Sequence, residues 1–305
     1  MSNDPMRIHL SLVSHTNIGK TTLARTLLGR DIGEVADRAH VTETTDDYVL
    51  ARTPEGCELI LWDTPGFGNS VALAKRLEGR ANPVGWFLSE VWDRVTNRSL
   101  WLNQKALKHI KETSSVVLYL VNATELPDSA PYVSAEMRIL EWIGKPVIVL
   151  LNQMGEPKPP ETEQAEVDRW KDAMSVYPIV YSVLPMDAFA RCWVQEFALF
   201  DAIANALPEE LHATFDALRE VWSRKRRAAY NASIQAMAHC LEKLASDREV
   251  AESASIRDQL RFLGKRLGLF RNETVNDPIC AAQTALTSRA ADELCALTDK
   301  LIEIN

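Results

Sequence analysis

Gly19-Lys20-Thr21-Thr22 stands where an apolar run ending at Ser14 gives way to a helical pattern. These residue types, in this order, suit the binding of a phosphate chain. Lys20 would neutralise charge on the β- and γ-phosphates, and the Thr21 hydroxyl suits a magnesium ion. Gly19 lets the backbone approach the anion closely. Several backbone N–H groups would converge on it at a helix N-terminus, which makes His15, Thr16, Asn17, Ile18, Gly19, Lys20, Thr21 and Thr22 the candidate binding residues. The position that usually carries the first glycine of such a loop is Ser14. Serine is the next smallest polar choice and fills tight turns, so the pattern is weakened but not abolished.

A second cluster strengthens the reading. Asp63-Thr64-Pro65-Gly66 follows directly on the apolar stretch ELILW. An aspartate at a strand end can hold magnesium through water, and the Gly66 N–H can sense a γ-phosphate. Asp, Pro and Gly are also ordinary turn residues, but a plain turn would not need to follow a phosphate loop and a hairpin.

The elements that must place these residues are legible as well. Residues 7–14 alternate, with Ile8, Leu10 and Leu12 on one face and His9 and Ser11 on the other. VVLYLV from Val116 and VIVLL from Val147 are continuous apolar runs, as expected of strands buried on both faces. Between them Val133, Glu136, Met137, Leu140 and Ile143 step at helical spacing, which completes a strand–helix–strand unit. YVLAR and ELILW flank a short turn-rich link and predict one antiparallel edge. A last strand over 179–183 and a helix over 187–207 would close an α/β domain with a mostly parallel sheet. After Pro208 the pattern is helical only, with stripes over 209–245, 249–267 and 279–304. The expected organisation is a nucleotide-binding domain over 1–207 and an all-helical module over 208–305.

Bulk properties limit the function classes. With 305 residues, 46% hydrophobic and 25% charged, the chain can bury a sizeable core. A formal charge of −8 argues against a general nucleic-acid coat. The five cysteines are scattered, with no Cys-x-x-Cys spacing, so buried free thiols are expected. No signal-peptide pattern or membrane-length apolar run is visible, and a cytoplasmic location is expected.

Ser14–Thr21, Thr42, Asp63–Gly66 and Asn152 fall in the order and spacing of Era-like GTPases of the TRAFAC class, which the chain resembles over roughly residues 6–205. The similarity is greatest to a bacterial branch with His-Thr-Asn-x-Gly-Lys-Thr in the loop, here His15–Thr21, and with Gly33-Glu34-Val35-Ala36-Asp37-Arg38 further on. The resemblance implies GTP and GDP as ligands, with Mg2+. It makes Thr21 and Thr42 magnesium ligands, with Thr44 and Thr45 rivals for the switch threonine, and puts Asp63 behind the ion. Asn17 occupies the position of the asparagine in Era-like enzymes stimulated by potassium, so K+ is a candidate cofactor. Lys20, Thr42, Asn17 and Gly66 are the residues expected to carry catalysis.

Two departures from the family pattern matter. Phe67 stands where Ras-like enzymes have a water-orienting glutamine, so slow hydrolysis is expected. The fourth motif, normally Asn-Lys-x-Asp, reads Asn152-Gln153-Met154-Gly155, with Glu156 one residue along. Asn152 and Gln153 are still expected at the base, but loss of the aspartate would erase most guanine preference. The expected function is a GTP-hydrolysing switch. The alternatives are a nucleotide-gated scaffold with little hydrolysis and an ATPase. Besides guanine nucleotide, the expected partners are a protein effector and a second copy of the domain, with membrane contact minor and nucleic acid disfavoured. Arg224–Arg227 reads as a solvated helix face, and the Trp-rich stretch 86–110 as core helix or a helical insert that touches a partner.

Overall fold

The computed structural model describes residues 5–29, 46–79, 81–89, 98–156, 158–187, 193–250, 260, 263–264, 267 and 278–304. Six strands form one sheet in the order β2-β3-β1-β4-β5-β6. They are β1 (Arg7–Ser14), β2 (Asp46–Arg52), β3 (Glu58–Asp63), β4 (Val116–Asn122), β5 (Val147–Asn152) and β6 (Val180–Pro185). All pairings are parallel except β2 with β3, so the expected hairpin edge is present. The apolar runs in β4 and β5 are covered on both faces, and every residue from Val147 to Asn152 is buried. Continuous Val/Leu/Ile runs need that double cover, since either face left wet would expose branched side chains.

Helices α1 (Lys20–Leu28), α2 (Ser70–Leu77), α3 (Pro83–Ser89), α4 (Arg98–Thr113), α5 (Pro131–Ile143), α6 (Pro160–Met174) and α7 (Trp193–Ala206) supply the cover. α1 and α7 close one face over Ile8, Leu10, Leu12, Leu118 and Ile148. α2 to α6 close the other over Val13, Val117, Tyr119, Val149 and Leu151. α6 has no counterpart in the sequence reading, because only Val167, Trp170 and Met174 are buried along it. α7 covers 193–206 of the helix expected over 187–207, Asp187 lies outside any helix, and 188–192 lie outside the described residues.

The chain divides into two compact units, Met1–Ser223 and Arg224–Asn305. α8 (Glu209–Ser246) follows the expected boundary at 207/208, and the units part inside that helix. Aromatic packing accounts for the difference. Phe215 and Trp222, in the first turns of α8, stack on Phe200 with ring centroids 5.8 and 4.1 Å away. In the second unit Lys243 of α8 pairs with Glu293 of α9 (Pro278–Ile304), and Arg289 of α9 meets Asp247 at 2.9 Å and Glu249 at 2.7 Å, just past the end of α8. Arg226 is buried, so the stretch 224–227 is not wholly a solvated face. Most of the stripe expected over 249–267 lies outside the described residues. Of the described cysteines only Cys240 is buried, while Cys280 and Cys295 are exposed. No helix among the described residues is long and apolar enough to cross a membrane.

Candidate nucleotide site

Parallel pairing sets the site's location. β1 runs beside β3 with Leu12 opposite Asp63, and beside β4 with Ser14 opposite Leu120. The carboxyl ends of the strands therefore open on one edge of the sheet, the usual place for a ligand in an α/β fold. The loop from His15 to Gly19 turns there into α1. Asn17 and Gly19 take left-handed backbone conformations, with φ of 63° and 94°. Asparagine tolerates that region better than most residues. Gly19 is required for a second reason, since a Cβ would lie 2.7 Å from the Asn152 amide nitrogen. No side chain caps α1 and no acid lies in its first turn, so the N–H groups of that turn suit an external anion.

Lys20 is buried, and its amine donates to Ser14 Oγ at 3.1 Å. Burial pushes the Lys20 pKa down, while the carboxylates of Asp63 and Glu136 push it back up. Ser14 thus does more than replace a glycine, because its hydroxyl holds the lysine at the mouth of the loop. Thr21 Oγ1 donates to Asp63 Oδ2 at 2.5 Å, which joins the two expected magnesium residues. Gly66 packs on the same spot, where a Cβ would stand 3.0 Å from Lys20 Nζ and 3.2 Å from the Thr16 Cα. Lys20, Thr21, Asp63, Thr16 and Gly66 therefore converge. Phe67 is fully buried in the core with Leu73 and Phe87, so its ring cannot orient water.

The fourth motif lies against the phosphate loop. Asn152 is buried, and its amide donates to the Ile18 carbonyl at 2.6 Å, which braces the phosphate loop from below. The Gln153 amide reaches the Asn17 carbonyl at 3.5 Å, with Gln153 itself at φ 56°. Gly155 and Glu156 are exposed. Thr42, with Thr44 and Thr45, lies outside the described residues. Thr22 lies in the first turn of α1, where its carbonyl accepts from Thr26 Oγ1 at 3.1 Å.

One residue of this site escaped sequence reading. Glu136, wholly buried in α5, accepts from His15 Nδ1 at 2.8 Å and from the Tyr119 hydroxyl at 2.8 Å. The His15 ring also stacks on Tyr132, 4.5 Å between centroids. Burial raises the Glu136 pKa, and the hydrogen bonds from His15 and Tyr119 oppose that rise. The signal was a carboxylate on the apolar stripe of α5, a place that carboxylates avoid unless paired. His9 and His109 both contact Trp62, where no cluster was expected. Trp62 Nε1 donates to His9 Nδ1 at 2.8 Å, and the Trp62 and His109 rings lie 4.4 Å apart.

The donor set fits magnesium. A hydroxyl and a carboxylate are hard oxygen donors, and Mg2+ is held by few protein ligands together with water and phosphates. Among the described residues no group of three or more His, Cys, Asp and Glu is placed to hold a metal by itself.

Residues 9–153 match the model of a family described as 50S ribosome-binding GTPase. Among solved structures the chain is similar to Era crystallised with MgGDPNP and a segment of 16S ribosomal RNA, at 21% identity and a TM-score of 0.48. That match covers 68% of this chain and 58% of the other. A variant of Aquifex aeolicus Era bound to GDP and AlF4− is 21% identical over 67% of this chain and 58% of that one, with a TM-score of 0.47. A bacterial selenocysteine-specific elongation factor is 15% identical over 66% of this chain and 28% of that one, at a TM-score of 0.41. This chain thus spans less than two thirds of the length of each. The matched range takes in the loop, the Asp63–Gly66 cluster, most of β1 and strands β2 to β5. Over residues 9–153 the chain is thus similar to that GTPase family.

Proposed function

We propose that this domain binds GTP with magnesium and hydrolyses it slowly, cycling between triphosphate and diphosphate states as a switch. The observation that carries this reading is the contact between Thr21 and Asp63 at 2.5 Å, beside the buried Lys20. A magnesium ion held by Thr21, with Asp63 behind it, would neutralise charge on the β- and γ-phosphates. Lys20 adds a fixed cation there, and the N–H groups at the start of α1 bind the phosphate oxygens. Gly66 supplies an N–H to the γ-phosphate, and Thr42 joins the site in the triphosphate state. Burial of Phe67 leaves water placement to the backbone and to Thr42, which supports a slow rate and the alternative of a nucleotide-gated scaffold. Asn17 is exposed at the tip of the loop, a position from which its side-chain oxygen can ligate K+ beside the phosphates.

The absence of an aspartate at Gly155 supports a second reading, weak discrimination between guanine and adenine. Phosphate release from GTP and ATP, each with Mg2+ and with chelator, separates the readings. Faster magnesium-dependent release from GTP supports the GTPase switch, equal release points to a purine-tolerant NTPase, and tight binding without release points to the scaffold. The matching family is described as ribosome-binding. We therefore set aside the expectation against nucleic acid, which rested on net charge alone, and count a ribosomal particle among the partners to test.

A further inference from the structure

The segment that would sense a γ-phosphate is held from two sides. On the inner side Thr64 Oγ1 donates to the Leu12 carbonyl at 2.6 Å, and the Phe67 N–H donates to the Ser14 carbonyl at 2.9 Å. On the outer side stands Asn103 of α4. Its side-chain oxygen accepts from the Gly68 N–H at 3.1 Å, and its nitrogen donates to the Gly68 carbonyl at 2.8 Å. One amide thus takes both polar groups of one residue. This double bond fixes the rotation of the Gly68 backbone as well as its position, because donor and acceptor of the amide are not interchangeable.

Asn103 is wholly buried beside an apolar cluster that includes Phe67, Ala106, Leu107 and Ile110. A leucine would bury more apolar surface there without a polar group to satisfy. Gln104 makes a parallel contact, donating to the Phe87 and Leu88 carbonyls at 3.0 and 3.3 Å. Consecutive amides on α4 therefore hold the end of the Asp63–Gly68 segment and the last turn of α3.

We infer that Asn103 is a positioning residue for this segment, and that α4 is the element to which the nucleotide state is passed. The inference rests on the nucleotide reading above. A Cβ on Gly66 would stand 3.0 Å from Lys20 Nζ, and Gly68 is only two residues further on. A shift of Gly66 toward a γ-phosphate must either carry Gly68 and α4 with it or break the Asn103 pair.

Hydrogen exchange of the full chain tests this, with Mg-GDP compared against a non-hydrolysable GTP analogue. In wild type, amides 66–69 and 98–104 should change protection together. In Asn103→Ala, 66–69 should still respond while 98–104 does not. GTP hydrolysis should fall about 10-fold, with GDP affinity held within about 3-fold, as expected for misplacement of a positioned segment. Asn103→Asp keeps the volume but replaces the donor facing the Gly68 carbonyl with an acceptor, and should behave the same way. A wild type that binds both nucleotides but shows no response in 98–104 overturns the inference. So do variants that keep wild-type coupling and rate, or that lose folding and GDP affinity together. A wild type that binds neither nucleotide overturns the nucleotide reading itself, and this inference with it.

Discussion

At the phosphate end of the site, Lys20 is buried with its amine on Ser14, and Thr21 meets Asp63 beside it. At the base end Asn152 is equally buried, but its amide is spent on the Ile18 carbonyl, and the chain beyond it runs out to exposed Gly155 and Glu156. One end gathers Lys20, Thr21 and Asp63, while at the other Asn152 bonds to the loop of the first. Phosphate recognition and base recognition make separate physical demands. The first needs a preorganised cation and free N–H groups. The second needs a carboxylate that this chain does not carry at its usual place.

The largest effect should come from the phosphate end. Lys20→Ala should weaken GDP and GTP binding at least ~100-fold, about 3 kcal/mol, because a desolvated cation facing phosphate has no substitute. Calorimetric titration would show this. The folded state should not suffer in parallel, since a buried charge is removed rather than stranded.

Glu136→Ala should destabilise folding by about 2–4 kcal/mol in urea titration, since it strips the acceptor from both His15 and Tyr119 and opens a cavity. Asn152→Ala sharpens the comparison at the base end. If Asn152 mainly braces the loop, its loss should cost about 1–3 kcal/mol and weaken GDP and ADP binding by similar factors. A loss confined to GDP would make it a base reader instead. Wild type should prefer GDP over ADP by no more than ~10–100-fold, the range open to a site without the paired carboxylate.

A smaller effect belongs to the opposite end of β1. Burial pushes the His109 pKa down to about 4, with His9 adding to the fall and Asp47 opposing it. The unfolded chain, titrating near ~6.5, then binds more protons than the folded one between those values, so stability rises with pH there. Stability should be complete above about pH 6.5 and fall as the pH drops toward 4. The loss should be about 1–2 kcal/mol after allowing for solvent screening of a partly exposed ring. His109→Asn should flatten that part of the urea-midpoint profile.

What the sequence revealed follows the reach of each interaction. Lys20, Thr21 and Gly19 act within one strand–loop–helix turn, so local pattern alone announces them. β4 and β5 are legible because double burial demands unbroken apolar runs. Glu136 pairs with His15 across 121 positions, and Asn103 with Gly68 across 35, so neither pairing leaves a local trace. The Glu136 position held a clue, an acid on an apolar stripe, that pointed to a partner without naming it. α6 went unseen because it rests on only three buried side chains, too few to impose a period. The Asn152 brace was hidden for the opposite reason. The motif's usual role at the base drew attention away from the loop beneath it.

The most direct test of the central claim is GDP affinity measured in Mg2+ and in chelator, for wild type and for Asp63→Asn. The Thr21–Asp63 arrangement predicts tight binding by wild type in Mg2+, weakened at least ~10-fold by chelator, with Asp63→Asn losing most of that dependence. Wild-type affinity that is indifferent to magnesium, or no nucleotide binding at all, would contradict it.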